Sequence, residues 1–158
     1  MTNHKEVKLS DYQALADFRY QIRRFVRFSE EAARAAGVEP QHHQLMLAIK
    51  GKPDGEEPRI ADLAERLQIQ HHSAVELVDR LVKKGLITRT RGDADRREVH
   101  VQLTARGERI LGELTLHTRA ELRSAAPSLA AALGKLTGRG KASNVLRRRP
   151  RLTKTGRG

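Results

Sequence analysis

Apolar side chains recur every three or four positions between Ser10 and Ala36, with Leu15, Phe18, Ile22, Phe25 and Val26 forming one stripe. That spacing predicts a long helix, with Ser10 as its N-cap and Gly37 ending the run. A second helix is expected from about Pro40, carrying Leu45, Met46, Leu47 and Ile49. Residues 51–58, GKPDGEEP, read as a loop from their Gly, Pro and charge. Ile60, Leu63, Ala64 and Leu67 then repeat at i, i+3, i+4, i+7 on a short helix. After a four-residue connector, 68–71, the same stripe returns with Ala74, Leu77, Val78 and Leu81, predicting a helix over about 72–84. Thr104 caps a further long helix to about Ser124, with Ile110, Leu111, Leu114 and Leu122 inward. Pro127 is expected to break it, leaving Leu129, Leu133 and Leu136 on a short last helix.

Between the 72–84 helix and Thr104 the period changes from 3.6 to 2. Val99, Val101 and Leu103 alternate with Glu98, His100 and Gln102, which predicts a strand with one buried face. A shorter strand over 86–91 precedes it, and Gly92-Asp93-Ala94-Asp95 supplies the turn. Residues 89–104 therefore read as a hairpin. It carries Arg89, Arg91, Arg96 and Arg97 at or near its tip, where folding needs no cations.

The two short helices and their connector fit a helix-turn-helix. Opposite the buried stripe of its second helix lie His72, Ser73, Glu76, Arg80 and Lys83. A charged helix face alone is usually just solvated. Beside a basic hairpin it becomes half of a docking surface, with side chains able to reach base edges and phosphates. Nucleic acid is the partner this arrangement predicts.

Composition sharpens that picture in one respect. The 158 residues carry a net charge of +12, but residues 139–158 hold eight Lys or Arg and no acid. Removing them leaves 23 basic against 19 acidic residues, or +4, for the rest. The tail (138–158) inflates the basicity and reads as disordered. It either binds phosphates nonspecifically or is a solvated extension. Residues 1–9 read as a flexible N-terminus. Mean hydropathy is −0.62, and no window nears the roughly 18 apolar residues of a membrane span. The first residues lack the apolar core of a secretory signal, which predicts a cytoplasmic protein without membrane contact.

Catalytic and metal chemistry find little footing. Cys is absent, excluding disulfides and thiolate ligands. The pairs His42-His43 and His71-His72 place neighbouring rings about 100° apart on a helix, so neither pair makes a two-ligand face. No metal and no cofactor is expected. Asp93 and Asp95 sit in a turn rather than in an acid/base pair, and Gly138-Arg-Gly-Lys-Ala-Ser143 lies in the tail, not before a helix. The chain is not expected to be an enzyme.

With IADLAERLQI (60–69), HSAVELVDRLVKKGLITR (72–89) and DRREVHVQLTARG (95–107), the sequence resembles the MarR family of bacterial winged-helix transcription regulators from about residue 10 to 137. The resemblance implies a mainly α (α+β) fold, a winged helix-turn-helix with long N- and C-terminal dimerisation helices. Residues 10–36 and 104–137 would dimerise, and 60–103 would form the DNA-binding lobe. It implies a homodimeric repressor of a pseudo-palindromic operator in double-stranded DNA, released by a small-molecule effector. The alternative is a sequence-nonspecific nucleic-acid-binding or nucleoid-associated protein.

Carried onto this chain, Gln70, His71, His72, Ser73, Glu76 and Arg80 belong to the recognition-helix region. The resemblance adds that Arg97 reaches a minor groove while Asp95 holds its guanidinium. Many relatives carry Ser or Thr and then Arg where this chain has Val75-Glu76. Glu76 would either accept from a cytosine amino group or repel phosphate and sharpen register. Tyr12, Phe18, Arg19, His42 and Met46 would line the effector pocket.

Overall fold

The computed structural model describes residues 6–53, 57–91 and 98–138. The calls at Asp95, Arg96 and Arg97 and on the tail beyond Gly138 lie outside these residues. So does most of the proposed N-terminal segment.

Five helices and a two-stranded sheet follow in the order α1 (Leu9–Ala35), α2 (Pro40–Lys50), α3 (Ile60–Leu67), α4 (His71–Lys83), β1 (Ile87–Arg91), β2 (Val99–Leu103) and α5 (Ala105–Thr137). The described residues form two compact units, one within 26–122 and one of 6–25 with 123–138.

The 26–122 unit owes its core to the helical stripes. Leu45, Met46, Leu63, Val78, Leu81, Ile87 and Val101 are its largest sealed side chains, and Val38, Ile49, Leu77, Leu86 and Leu111 join them. α2, α3, α4 and the start of α5 each contribute one face, and Val101 is the inward residue of β2. Leu47, on the other side of α2, stays exposed. β1 and β2 pair antiparallel, Ile87 with Leu103 and Arg91 with Val99, as the period-2 pattern required.

Where the chain leaves α4 it turns through Gly85, whose φ of +67° suits a residue without Cβ. The Gly85 and Leu86 amides donate to the Val82 and Leu81 carbonyls, closing the helix end. Thr104 then caps α5: its hydroxyl accepts from the Gly107 amide at 3.0 Å and donates to the Gly85 carbonyl at 2.8 Å. One threonine thus fastens the start of α5 to the end of α4.

In the smaller unit, Ala14 and Ala132 are buried and Lys135 pairs with Asp17 at 3.6 Å. Leu9, Tyr12, Leu15, Tyr20 and Ile22 on α1, and Leu133 and Leu136 on α5, stay exposed there.

Three expectations are corrected. α5 runs unbroken through Pro127 to Thr137. Pro127 removes one helical hydrogen bond, but it and Arg123 are exposed to water, and five alanines within 125–132 favour helix. The connector between α3 and α4 is three residues, 68–70, because His71 is already helical and Gln70 takes the N-cap position. The third concerns 51–58. Its last residue is not simple loop: the Val101 amide donates to the Pro58 carbonyl at 3.0 Å, and Arg59 bridges to His100. Pro58 and Arg59 thus add a short third edge to the hairpin.

Candidate nucleic-acid interface

The turn that joins α3 to α4 is held by Gln68, the single described non-glycine residue with positive φ, at 54°. Its side-chain amide donates to the Glu65 carbonyl at 2.7 Å and its own N–H closes α3. Ala74, Leu77, Val78 and Leu81 anchor α4 in the core. That phase leaves His71, His72, Glu76, Arg80 and Lys83 exposed and Ser73 half-exposed, with Gln70 exposed just ahead of them. The sequence-predicted face is therefore assembled on one helix. Arg80 lies 3.6 Å from the Glu76 carboxylate, one turn away. Glu76 consequently tempers the most central cation of the face.

Arg89 and Arg91 are exposed on β1. The guanidinium of Arg89 is bonded to the Asp79 carboxylate, so the hairpin is tied directly to α4. Arg89 is half neutralised as well as placed. The sequence pattern could not reveal this, since ten residues and a turn separate the partners.

The base of the hairpin is fixed by a second set of polar contacts. Arg59 bonds Asp62 at 3.4 Å and Glu98 at 3.5 Å, while the Asp62 carboxylate accepts from the Arg59 amide at 3.0 Å. That backbone donor, ahead of the Arg59 charge, holds Asp62 below the usual carboxylate range. Thr90 donates to Glu57 at 2.8 Å, and His100 Nδ1 lies 3.0 Å from the Glu57 carbonyl. Sequence reasoning missed Arg59 and Glu57, because charge and proline made 51–58 look like plain loop. The one available signal was the Arg59-x-x-Asp62 spacing at a helix start.

The residues proposed for an effector pocket fall in both units. In the smaller unit Tyr12 and Arg19 are exposed and Phe18 is half-buried. In the larger one His42 is 4% exposed and Met46 is fully sealed in the core. Burial holds the His42 imidazole below its ordinary value, with Lys84 and then Arg80 adding to the shift and Glu39 opposing it. His43 is lowered by burial alone. Both rings are therefore neutral near pH 7. Among the described residues no three His, Asp or Glu side chains converge as metal ligands. Nor is any described helix long and apolar enough to cross a membrane.

A core-anchored helix pair with a tight turn, followed by a basic hairpin laced to the second helix, defines a winged helix-turn-helix protein. Comparison with known proteins agrees. Residues 36–98 match the model of the MarR family, and over that stretch the chain is similar to it. Over 78 residues it is 32% identical to the HTH-type transcriptional repressor MdtR of Bacillus subtilis, a match covering 49% of this chain and 48% of MdtR. The chain thus spans about half the length of that curated relative. AbsC, a MarR family transcriptional regulator from Streptomyces coelicolor, superposes with a TM-score of 0.68 at 19% identity, over 90% of this chain and 95% of its own. NadR in complex with 4-hydroxyphenylacetate superposes with a TM-score of 0.59 at 20% identity, over 92% of both chains. At such identities the likeness is one of fold.

Proposed function

We propose that this protein is a cytoplasmic, DNA-binding transcription regulator, a homodimeric repressor of a pseudo-palindromic operator that a small-molecule effector releases. The observation that carries the reading is the joined surface of α4 and the hairpin. His71, His72, Glu76, Arg80 and Lys83 stand exposed on a rigidly anchored helix, and the Asp79–Arg89 bond holds the basic strand beside it. Such a surface presents a helix to a major groove and cations to the flanking backbone. Arg97 is assigned to the minor groove by the family resemblance, with Asp95 holding it and Arg96 nearby.

Two further parts of the proposal have separate support. The exposed Leu9, Leu15, Tyr20 and Ile22 of α1 and Leu133 and Leu136 of α5 are apolar surface that a second copy would cover. Effector release draws on the MarR fold of NadR, a protein solved with 4-hydroxyphenylacetate bound. A ligand acts in this way only by binding one state of the dimer better than the other.

Selection of bound DNA from a random pool, followed by footprinting, tests the central reading. A selected palindrome should compete at least about 10³-fold better than random DNA. A ratio near one would replace operator recognition with nonspecific binding.

A further inference from the structure

Thr90 and His100 stand directly opposite each other in the hairpin, and one residue outside it bonds both. The Glu57 carboxylate accepts from the Thr90 hydroxyl at 2.8 Å, and the Glu57 carbonyl lies 3.0 Å from His100 Nδ1. A carbonyl oxygen can only accept, so Nδ1 carries the hydrogen of the ring. In the neutral ring Nε2 then presents a bare lone pair. That nitrogen lies 3.5 Å from Glu98 Oε2, another acceptor. The tautomer that Glu57 selects thus sets two acceptors face to face, and a proton on Nε2 turns the same geometry into a charge pair.

The charges around the ring leave room for a cation. Among the described residues, Glu57 and Arg59 come from the segment ahead of α3, Asp62 from its first turn and Glu98 from the residue preceding β2. Arg59 is shared between Asp62 at 3.4 Å and Glu98 at 3.5 Å, and Lys52 acts on Asp62. β1 sets uncharged Thr90 opposite the ring, while Arg89 and Arg91, one position to either side, lie on the other face of the strand. Three carboxylates therefore meet two cations, and His100 is placed to be the third. His42 and His43 differ in kind. Nδ1 of each has no hydrogen-bond partner among the described residues, and burial resists a proton there.

We propose that His100 positions the hairpin through a proton-dependent clasp, closed while its ring is charged and released as pH rises. An imidazole is the side chain that changes charge in the physiological range. The charged ring donates from both nitrogens, to the Glu57 carbonyl through Nδ1 and to the Glu98 carboxylate through Nε2. Glu98 in turn holds Arg59, two residues from Glu57, so the proton completes a closed circuit around Pro58. The circuit surrounds the bond from the Val101 amide to the Pro58 carbonyl, which fastens β2 to this segment.

One consequence rests on the DNA-binding reading. A closed clasp fixes the cationic hairpin on its lobe, so operator affinity should rise as pH falls, and rise less in H100Q. The exposed His71 and His72 of α4 are present in both proteins, so their effect cancels in that comparison.

The clasp itself is tested without DNA. Amide hydrogen exchange of the full-length protein is followed by NMR from pH 7.5 to 5.5, each rate being corrected for its intrinsic pH dependence. The Val101 amide reports the root of the hairpin, and the Val78 amide, sealed in the core on α4, reports global unfolding. Protection of Val101 relative to Val78 should rise about two- to fivefold as pH falls, the range that a partly exposed ion pair supplies. H100Q should abolish this rise and E98Q should reduce it. A His100 that merely packs would change protection by one factor at every pH. A flat ratio in the parent, or a rise that survives unreduced in either variant, would overturn the proposal. None of these outcomes depends on whether the protein binds an operator.

Discussion

Gly107 lies directly against the main chain of Leu86: a Cβ placed on this glycine would stand 2.1 Å from the Leu86 carbonyl oxygen. The neighbour is backbone, already engaged by the Thr104 amide at 3.0 Å, and cannot swing away. G107A should therefore destabilise the protein by about 1–3 kcal/mol, the usual cost of forcing atoms into a packed site. Equilibrium unfolding in urea of the variant against the parent measures this, and an unchanged midpoint would refute the close approach.

Thr104 serves both partners of that contact. T104A loses the cap on Gly107 and the bond to the Gly85 carbonyl, so it should cost about 1–2 kcal/mol. Serine at this position keeps the hydroxyl and should recover most of the loss, which the same unfolding series would show.

Arg80 stands at the centre of the exposed α4 face. R80A should weaken operator binding by about 1–3 kcal/mol if it reads a base, and should flatten the salt dependence if it meets phosphate. Fluorescence anisotropy at several salt concentrations distinguishes the two. E76A frees Arg80 from its 3.6 Å pairing, and should strengthen binding to random DNA more than to the operator.

The Asp79–Arg89 pair is exposed, so its direct contribution to folding should be at most about 1 kcal/mol. D79A should thus leave unfolding nearly unchanged while lowering operator affinity, because Arg89 loses the anchor that places it. A double-mutant cycle with R89A, read in DNA binding, should show coupling between the two residues. Additive losses would mean the pair positions nothing.

The two buried histidines make stability pH-dependent. Both imidazoles are held below the ordinary value of 6.5, chiefly by burial. The unfolded chain then binds protons that the folded chain refuses, so stability is full above about pH 6.5 and is lost as pH falls through the folded midpoints. Urea unfolding between pH 7.5 and 5 should show this decline, and H43L should reduce its slope. A flat profile would contradict the burial of both rings.

The elements that carry the fold were legible because each buries a stripe. The 60–67 and 74–81 repeats located α3 and α4 to within a residue, and the alternation at Val99, Val101 and Leu103 gave β2 with its inward side correct. What escaped was non-local or backbone-borne. The pairing of Pro58 and Arg59 with β2 involves main-chain groups that no side-chain pattern encodes. The Asp79–Arg89 bond needs the turn at Gly85 to bring its partners together. Pro127 misled because proline preference is local, whereas the alanine-rich surroundings decide whether the helix survives it. The exposed face of α4 followed from its buried stripe, but the unpaired state of His42 could only come from coordinates.

The three-residue connector that begins at Gln68 also limits how this lobe can change over evolutionary time. Each residue of a helix advances the side chains by about 100°. Inserting one residue between Leu67 and His71 while the path of the turn stays fixed would rotate α4 by about 100°, carrying Leu77 and Leu81 out of the core. Glu76 and Arg80 would then take the buried places that those two leave. The surface can therefore diversify freely by substitution, whereas insertions and deletions in this turn should be purged. New specificities in such a lobe arise letter by letter at fixed positions.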